Sequence, residues 1–99
     1  MRTVDNSELV RWRELDSSHV LRLLADHIKQ DMSFHPRSSH LATRWHAHIA
    51  EHDWEFLCTG PKFWDMRMDR GGGGAIDLVM HIYGSKFKGA VMLLKDKGL

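Results

Sequence analysis

Four consecutive glycines, Gly71–Gly74, stand directly before a run of apolar residues at helical spacing, and they constrain this chain more than any other feature. Glycine reaches positive φ, and its lack of a side chain lets another group approach the backbone closely. Ala75–Tyr83 predicts a helix, which Gly84 ends as a C′ residue would. The first N–H groups of such a helix carry partial positive charge and can hold a phosphate. Arg67 and Arg70 lie just upstream and could add full charges. The plainer reading is a tight, mobile turn between a strand and that helix. No Lys-Ser/Thr follows the glycines, so the run is not a Walker A loop.

What precedes and follows the glycines fits one small domain. The 99 residues predict a single domain over 1–99, on a prior of about one per 150 residues. No apolar run approaches the ~20 residues that span a bilayer, so no membrane partner is expected. The first residues lack the apolar stretch of a secretory signal. One cysteine, Cys58, excludes an internal disulfide and a multi-cysteine zinc ribbon, and points to a reducing, cytoplasmic setting. Net charge is only +1, so the chain cannot grip a polyanion by bulk charge. Its eight histidines change that below neutrality, because histidine as a residue type titrates near pH 6.5. Anion binding is therefore expected to strengthen at mildly acidic pH, although most surface histidines are simply solvated.

Along the chain, residues 1–16 form either a short helix around Glu8–Leu15 or a loose, flexible arm. Residues 17–43 are a helix and a loop. Asp16, Ser17 and Ser18 offer N-cap oxygens, and Val20, Leu21, Leu23, Leu24, His27 and Ile28 predict an amphipathic helix to about Gln30. Met32–His40 contains Pro36 and three serines and reads as a loop. Thr43–Ala50, Trp54–Cys58 and Lys62–Arg67 predict three strands, with turns at Glu51-His52-Asp53 and Thr59-Gly60-Pro61. After the glycine turn and the Ala75–Tyr83 helix, Ser85 is the expected N-cap of a last helix over Lys86–Lys97. The expected fold class is α+β: an N-terminal helix, a small three-stranded antiparallel sheet and two C-terminal helices.

Several of these words resemble a known family. Gly73-Gly74-Ala75-Ile76-Asp77-Leu78-Val79-Met80, followed by Gly84 and Phe87-Lys88-Gly89-Ala90-Val91, is similar to the end of the N-terminal zinc domain of bacterial replicative DNA primases. Thr59-Gly60 and Lys62-Phe63-Trp64 fall where that family has a glycine turn and a polar residue with two aromatics. Arg44–Leu99 looks closer still to the branch found on plasmids and mobile elements. The resemblance covers a little over half the chain, and residues 44–99 are the primase-like part.

In that family a Cys-x-x-His pair and a Cys-x-x-Cys pair hold zinc. The gapless register puts Trp45 and His48 at the first pair, and Met66 and Asp69 at the second. Only His48 is a credible ligand, while a structural zinc site needs four. The expectation is a zinc-ribbon-like scaffold without zinc, a degenerate zinc finger in which Trp45, Trp54, Phe63 and Trp64 pack in place of metal. The residues left to hold zinc would be His46, His48, His52 and Asp69. No catalytic constellation stands out, so the chain is expected not to be an enzyme, or at most an accessory domain of a primase. Asp65, Asp69 and Asp77 raise an acidic metal site, but Asp77 falls in the family's helix motif, where a first-turn acid suits the helix dipole.

The function the resemblance implies is a non-catalytic DNA-binding module, like a primase's template-binding domain, serving replication of a plasmid or mobile element. Single-stranded DNA would be held by Arg44, Lys62, Trp64, Arg67, Arg70, Gly72 and Gly73, with Lys86 and Lys88 adding charge; such sites pair a basic groove with stacking aromatics. The alternative is a protein-interaction module docking on a primase, a helicase or another mobile-element protein, which the near-neutral charge favours.

Overall fold

In the computed structural model the apolar alternation of Thr43–Ile49 builds the second strand of a five-stranded antiparallel sheet, and residues 5–37 and 41–99 are described. The first four residues of the expected arm and the last three of the expected Met32–His40 loop lie outside the described residues. The elements run α1 (Asn6–Glu14), α2 (Ser17–Leu24), β1 (His27–Gln30), β2 (Thr43–Ile49), β3 (His52–Thr59), β4 (Lys62–Asp65), β5 (Arg70–Gly73), α3 (Ala75–Tyr83) and α4 (Phe87–Asp96). Strand order is β1-β2-β3-β4-β5, each neighbour antiparallel. Among the described residues the α+β class stands, but the expected three strands with one helix before and two after them are overturned by five strands and four helices.

Each extra element has a physical cause. Asp5 caps α1 by accepting the Glu8 N–H at 2.8 Å, and Trp12 on that helix is fully buried. The expected helix to Gln30 stops at Leu24 instead. Ala25 turns extended (φ −82°, ψ 141°), and the Asp26 and Asp31 N–H groups donate to His48 O and Arg44 O, opening and closing a ladder with β2. A short segment such as His27–Gln30 carries too few apolar residues for periodicity to separate helix from strand. The added edge strand sets Ile28 against Ala47 on the buried side. Ser17, expected as a cap, spends its hydroxyl on Gly60 O (3.0 Å) and Lys62 O (2.8 Å), pinning α2 to the β3–β4 turn.

The turn expected at Glu51-His52-Asp53 lies one step earlier. Ala50 and Glu51 form a two-residue hairpin with φ of 51° and 65°, and His52 already belongs to β3. Both residues sit in the left-handed region that such hairpins require, although neither is glycine or asparagine. The strand expected to reach Arg67 ends at Asp65 and leaves a turn over 66–69.

The glycine run is a strand, not a turn. Gly71, Gly72 and Gly73 pair with Trp64, Phe63 and Lys62. A Cβ on Gly71 would lie 2.7 Å from Trp64 Cε3, and one on Gly72 would lie 2.9 Å from Phe63 Cζ. The two rings thus lie across bare backbone on opposite faces of β5. Only Gly74, at φ 93°, needs glycine for its backbone conformation before α3. At the far end of α3, Gly84 closes the helix at φ 64° as expected. Lys86, not Ser85, takes the N-cap position of α4, and no side chain caps that helix.

The core lies on one side of the sheet. Trp45, Ala47, Ile49, Phe56, Cys58 and Phe63 point inward against Trp12, Val20, Leu21, Leu78, Val79 and Leu94 of the helices. Arg22 on α2 stacks over Trp45 at 4.9 Å, covering one end of that layer. No helix among the described residues is long and apolar enough to cross a membrane.

Candidate nucleic-acid interface

Strand alternation that buries one face of the sheet exposes the other. On β2, Trp45, Ala47 and Ile49 are buried, so Arg44, His46 and His48 face outward. The register then brings Leu57, Glu55 and Asp53 of β3 opposite them, and His27 and Lys29 of β1 on the other flank. Trp64 pairs with Leu57, and Lys62 with Thr59, which continues the same outer face across β4. Lys29, Arg44, Lys62 and Arg67 therefore share it with Asp31, Asp53 and Glu55, and with His27, His46 and His48. A cavity of about 290 Å³ opens between His27, Lys29, His46, His48 and Arg67.

The charges are paired at short range. Arg44 Nη2 donates to Glu55 Oε2 at 2.8 Å, and Arg67 Nη2 donates to Glu55 Oε1 at 3.3 Å. Arg67 Nη1 also reaches Asp53 O at 3.2 Å. His48 Nδ1 lies 2.9 Å from Asp53 Oδ1, and His46 lies 3.9 Å from both Asp31 and Glu55. Arg44's hydrogen bond, opposed by desolvation and helped by Arg67, holds the Glu55 carboxyl below its ordinary range. Asp53 is lowered by its bond to His48, and Asp31 by its bonds to Ser33.

Trp64 is the exception among the tryptophans. Trp12 and Trp45 are buried and Trp54 is half-buried, its Nε1 bonded to Ile49 O at 3.0 Å. Trp64 is 44% exposed, and its indole lies over Gly71 on the outer face. It is therefore not packed in place of metal, as the sequence predicted, but offers a flat ring to solvent.

Arg67 owes its position to a buried carboxylate. Asp65 is fully buried; its Oδ1 accepts the Arg67 and Met68 N–H groups at 2.9 and 3.1 Å, and its Oδ2 lies 2.7 Å from His81 Nε2 on α3. The His81 ring is enclosed by Trp54, Phe56 and Phe63, with centroids 5.6–6.1 Å away. This is the turn that carries Met66 and Asp69, the positions the resemblance matches to a metal pair. A carboxylate–imidazole contact ties it to the helical layer. Asp69 itself has φ 53°.

The expected site residues are only partly brought together. Arg44, Lys62, Trp64 and Arg67 share the outer face. Arg67 is not at the start of α3, where the sequence placed it as a phosphate ligand; Lys62 is the cation beside Gly73. Gly72 faces inward over Phe63, and Arg70 pairs with Asp65 at the other end of β5. The Gly73 N–H is taken by Asp77 Oδ2 at 3.3 Å and the Gly74 N–H by Pro61 O at 3.1 Å, so the glycine backbone is already satisfied there. Lys86 and Lys88 flank Phe87, which lines a separate cleft at the start of α3 with Trp12 and Arg13. His52 is exposed at the end of β3 on the helix side of the sheet while His46 and His48 are on the outer side, and Trp45 and His48 lie on opposite faces. Among the described residues no group of three or more His, Cys, Asp or Glu side chains could hold a metal.

His27, Lys29, Asp31, Asp53 and Glu55 were not singled out from sequence. For Asp53 and Glu55 the signal was available: once the hairpin turns at 50–51, they fall opposite His48 and His46, with Arg44 one step diagonal to Glu55.

No protein-family model matches the chain, and no solved structure matches it. A stretch of 47 residues, 48% of the chain, is 45% identical to a "65 kDa protein" of Zymomonas mobilis subsp. mobilis. The chain spans 8% of that relative's length, and the description carries no activity.

Proposed function

We propose that this chain is a non-catalytic single-stranded DNA-binding module, resembling the template-binding domain of a DNA primase and serving replication of a plasmid or mobile element. The observation that carries the reading is the outer sheet face. It combines the exposed Trp64 ring, lying on the bare backbone of Gly71, with Lys29, Arg44, Lys62 and Arg67 along one surface. A base can stack on such a ring for about 1–3 kcal/mol while the cations follow the backbone, and neither contact reads sequence. The words Thr59-Gly60-Pro61-Lys62-Phe63 and Gly71–Gly74, part of the stretch that resembles plasmid-borne primases, contribute Lys62 and Gly71 to this surface. Binding is expected to weaken with salt along a shallow slope, because few phosphates can be neutralised.

The second reading, a module that docks on a primase or helicase protein, draws on one observation. Asp31, Asp53 and Glu55 offset most of the cationic charge on the face. Titrating intrinsic tryptophan fluorescence with a single-stranded oligonucleotide at low salt separates the two. Quenching that Trp64→Phe reduces supports DNA binding; no change at any oligonucleotide concentration sinks it and leaves the protein-docking reading.

A further inference from the structure

Two guanidinium groups from different elements, Arg44 on β2 and Arg67 in the 66–69 turn, converge on the single carboxylate of Glu55 in the middle of the outer face. Each takes a different oxygen, at 2.8 and 3.3 Å. Arg67 is braced for this by Asp65, which fixes the turn's backbone from below, and by its own bond to Asp53 O. Arg44 also has a buried Nε–H with no hydrogen-bond acceptor among the described residues, Asp31 Oδ2 lying 3.7 Å away. All three side chains reach solvent, at 29%, 54% and 21% exposure.

A carboxylate bridging two guanidinium forks occupies the geometry that the two non-bridging oxygens of a phosphodiester would take, since arginine forks match both groups. We propose that Arg44 and Arg67 form a two-arginine phosphodiester site, that Glu55 fills it in the free chain, and that a nucleic-acid strand binds there by displacing Glu55. The proposal rests on the single-strand reading above and adds a gate to it. Displacement costs little, because an ion pair that still reaches solvent shifts an equilibrium by no more than about fivefold. Glu55 also has somewhere to go: His46 is its direct cross-strand neighbour, with Nδ1 3.9 Å from Oε1. A strand that cannot supply a phosphate at this spot has to leave the Glu55 contact intact, so the gate favours a polynucleotide over an uncharged ligand on the same ring.

The test is Glu55→Gln, which keeps shape and removes the internal anion, measured by oligonucleotide titration across a salt series. Affinity at low salt is expected to rise roughly two- to fivefold, and the log–log salt slope to steepen by about 0.7, one more phosphate on a single strand. Asp96→Asn on α4, in the helical layer, controls for loss of a remote negative charge. Arg44→Lys in the E55Q background is expected to remove most of the gain, because lysine keeps the charge but not the fork. If E55Q fails to give a cooperative thermal melt, Glu55→Asp replaces it; the shorter carboxylate cannot bridge both guanidiniums, and a gain of the same sign is expected. Wild-type binding with E55Q equal to it, weaker than it, or matched by D96N overturns the gate and leaves the DNA reading standing. No binding by wild type or variant overturns both. Inorganic phosphate is titrated as the second arm. An E55Q gain for free phosphate as large as that for the strand would assign the site to the free ion and overturn the proposal.

Discussion

Replacing Gly71 with alanine sets a Cβ 2.7 Å from Trp64 Cε3 and 2.8 Å from Phe63 O. Both lie inside the distance that real Cβ atoms keep, and the second is a backbone atom that cannot swing away. Either the Trp64 ring lifts off the strand or the β4–β5 ladder opens. Overpacking of this kind costs about 1–3 kcal/mol, which for a domain of this size lowers Tm by roughly 5–20 °C. Gly73→Ala is the matched comparison, because its new Cβ meets nothing closer than Lys62 Cγ at 4.0 Å. With no positive φ to strain, that substitution restricts only the unfolded chain and is expected to stabilise by about 0.4–1 kcal/mol. Thermal melts followed by circular dichroism, with urea titrations to confirm that the slope is unchanged, read both variants. Opposite signs are the expected result. If Gly71→Ala and Gly73→Ala move Tm the same way by similar amounts, the glycines are a loose turn, and Trp64 has no strand beneath it.

Ala50→Asn with Glu51→Gly gives the hairpin the residues its positive-φ pair prefers, and Tm should rise by about 4–8 °C for each 1 kcal/mol relieved; an unchanged or lower Tm contradicts the turn geometry. Cys58 is buried, and burial pushes its thiol up to about 11; in mildly alkaline buffer thiol reagents should modify it only as fast as the domain opens, and rapid native labelling would refute its burial. Glu55's folded pKa lies below its ordinary 4.5, so its contribution to stability is present above pH 4.5 and lost as pH falls through the folded value. Melts at descending pH should therefore show wild type losing its advantage over E55Q below pH 4.5, and a gap that persists in acid would refute the ion-pair geometry.

The elements legible in the sequence were those with a clear period or a stop residue. Ala75–Tyr83 is such a helix, with buried Leu78, Val79 and Ile82 on one face and Gly84 at φ 64° behind it. Thr43–Ile49 alternates strictly, and its inward Trp45, Ala47 and Ile49 carry the sheet. The elements missed were those whose reason lies in another part of the chain. Nothing local marks His27–Gln30 as a strand; its ladder is supplied by β2. Nothing local marks Gly71–Gly73 as a strand either, because the rings that lie against Gly71 and Gly72 belong to Trp64 and Phe63. The candidate site divided along the same line. Strand alternation puts Arg44, Lys62 and Trp64 on one face, although the sequence also sent Trp64 into the core, whereas Glu55's grip on Arg44 and Arg67 depends on cross-strand register and on a turn fixed by buried Asp65.

The outer sheet face is tested most directly by amide chemical-shift mapping of the whole chain with a single-stranded oligonucleotide at low salt. Shifts are expected to cluster at Lys29, Arg44, His46, Glu55, Trp64, Arg67 and Gly71, with the Trp64 indole N–H among the largest, while α4 stays still. A footprint centred on the helical layer, or no shifts at saturating oligonucleotide, would contradict the assignment of this face.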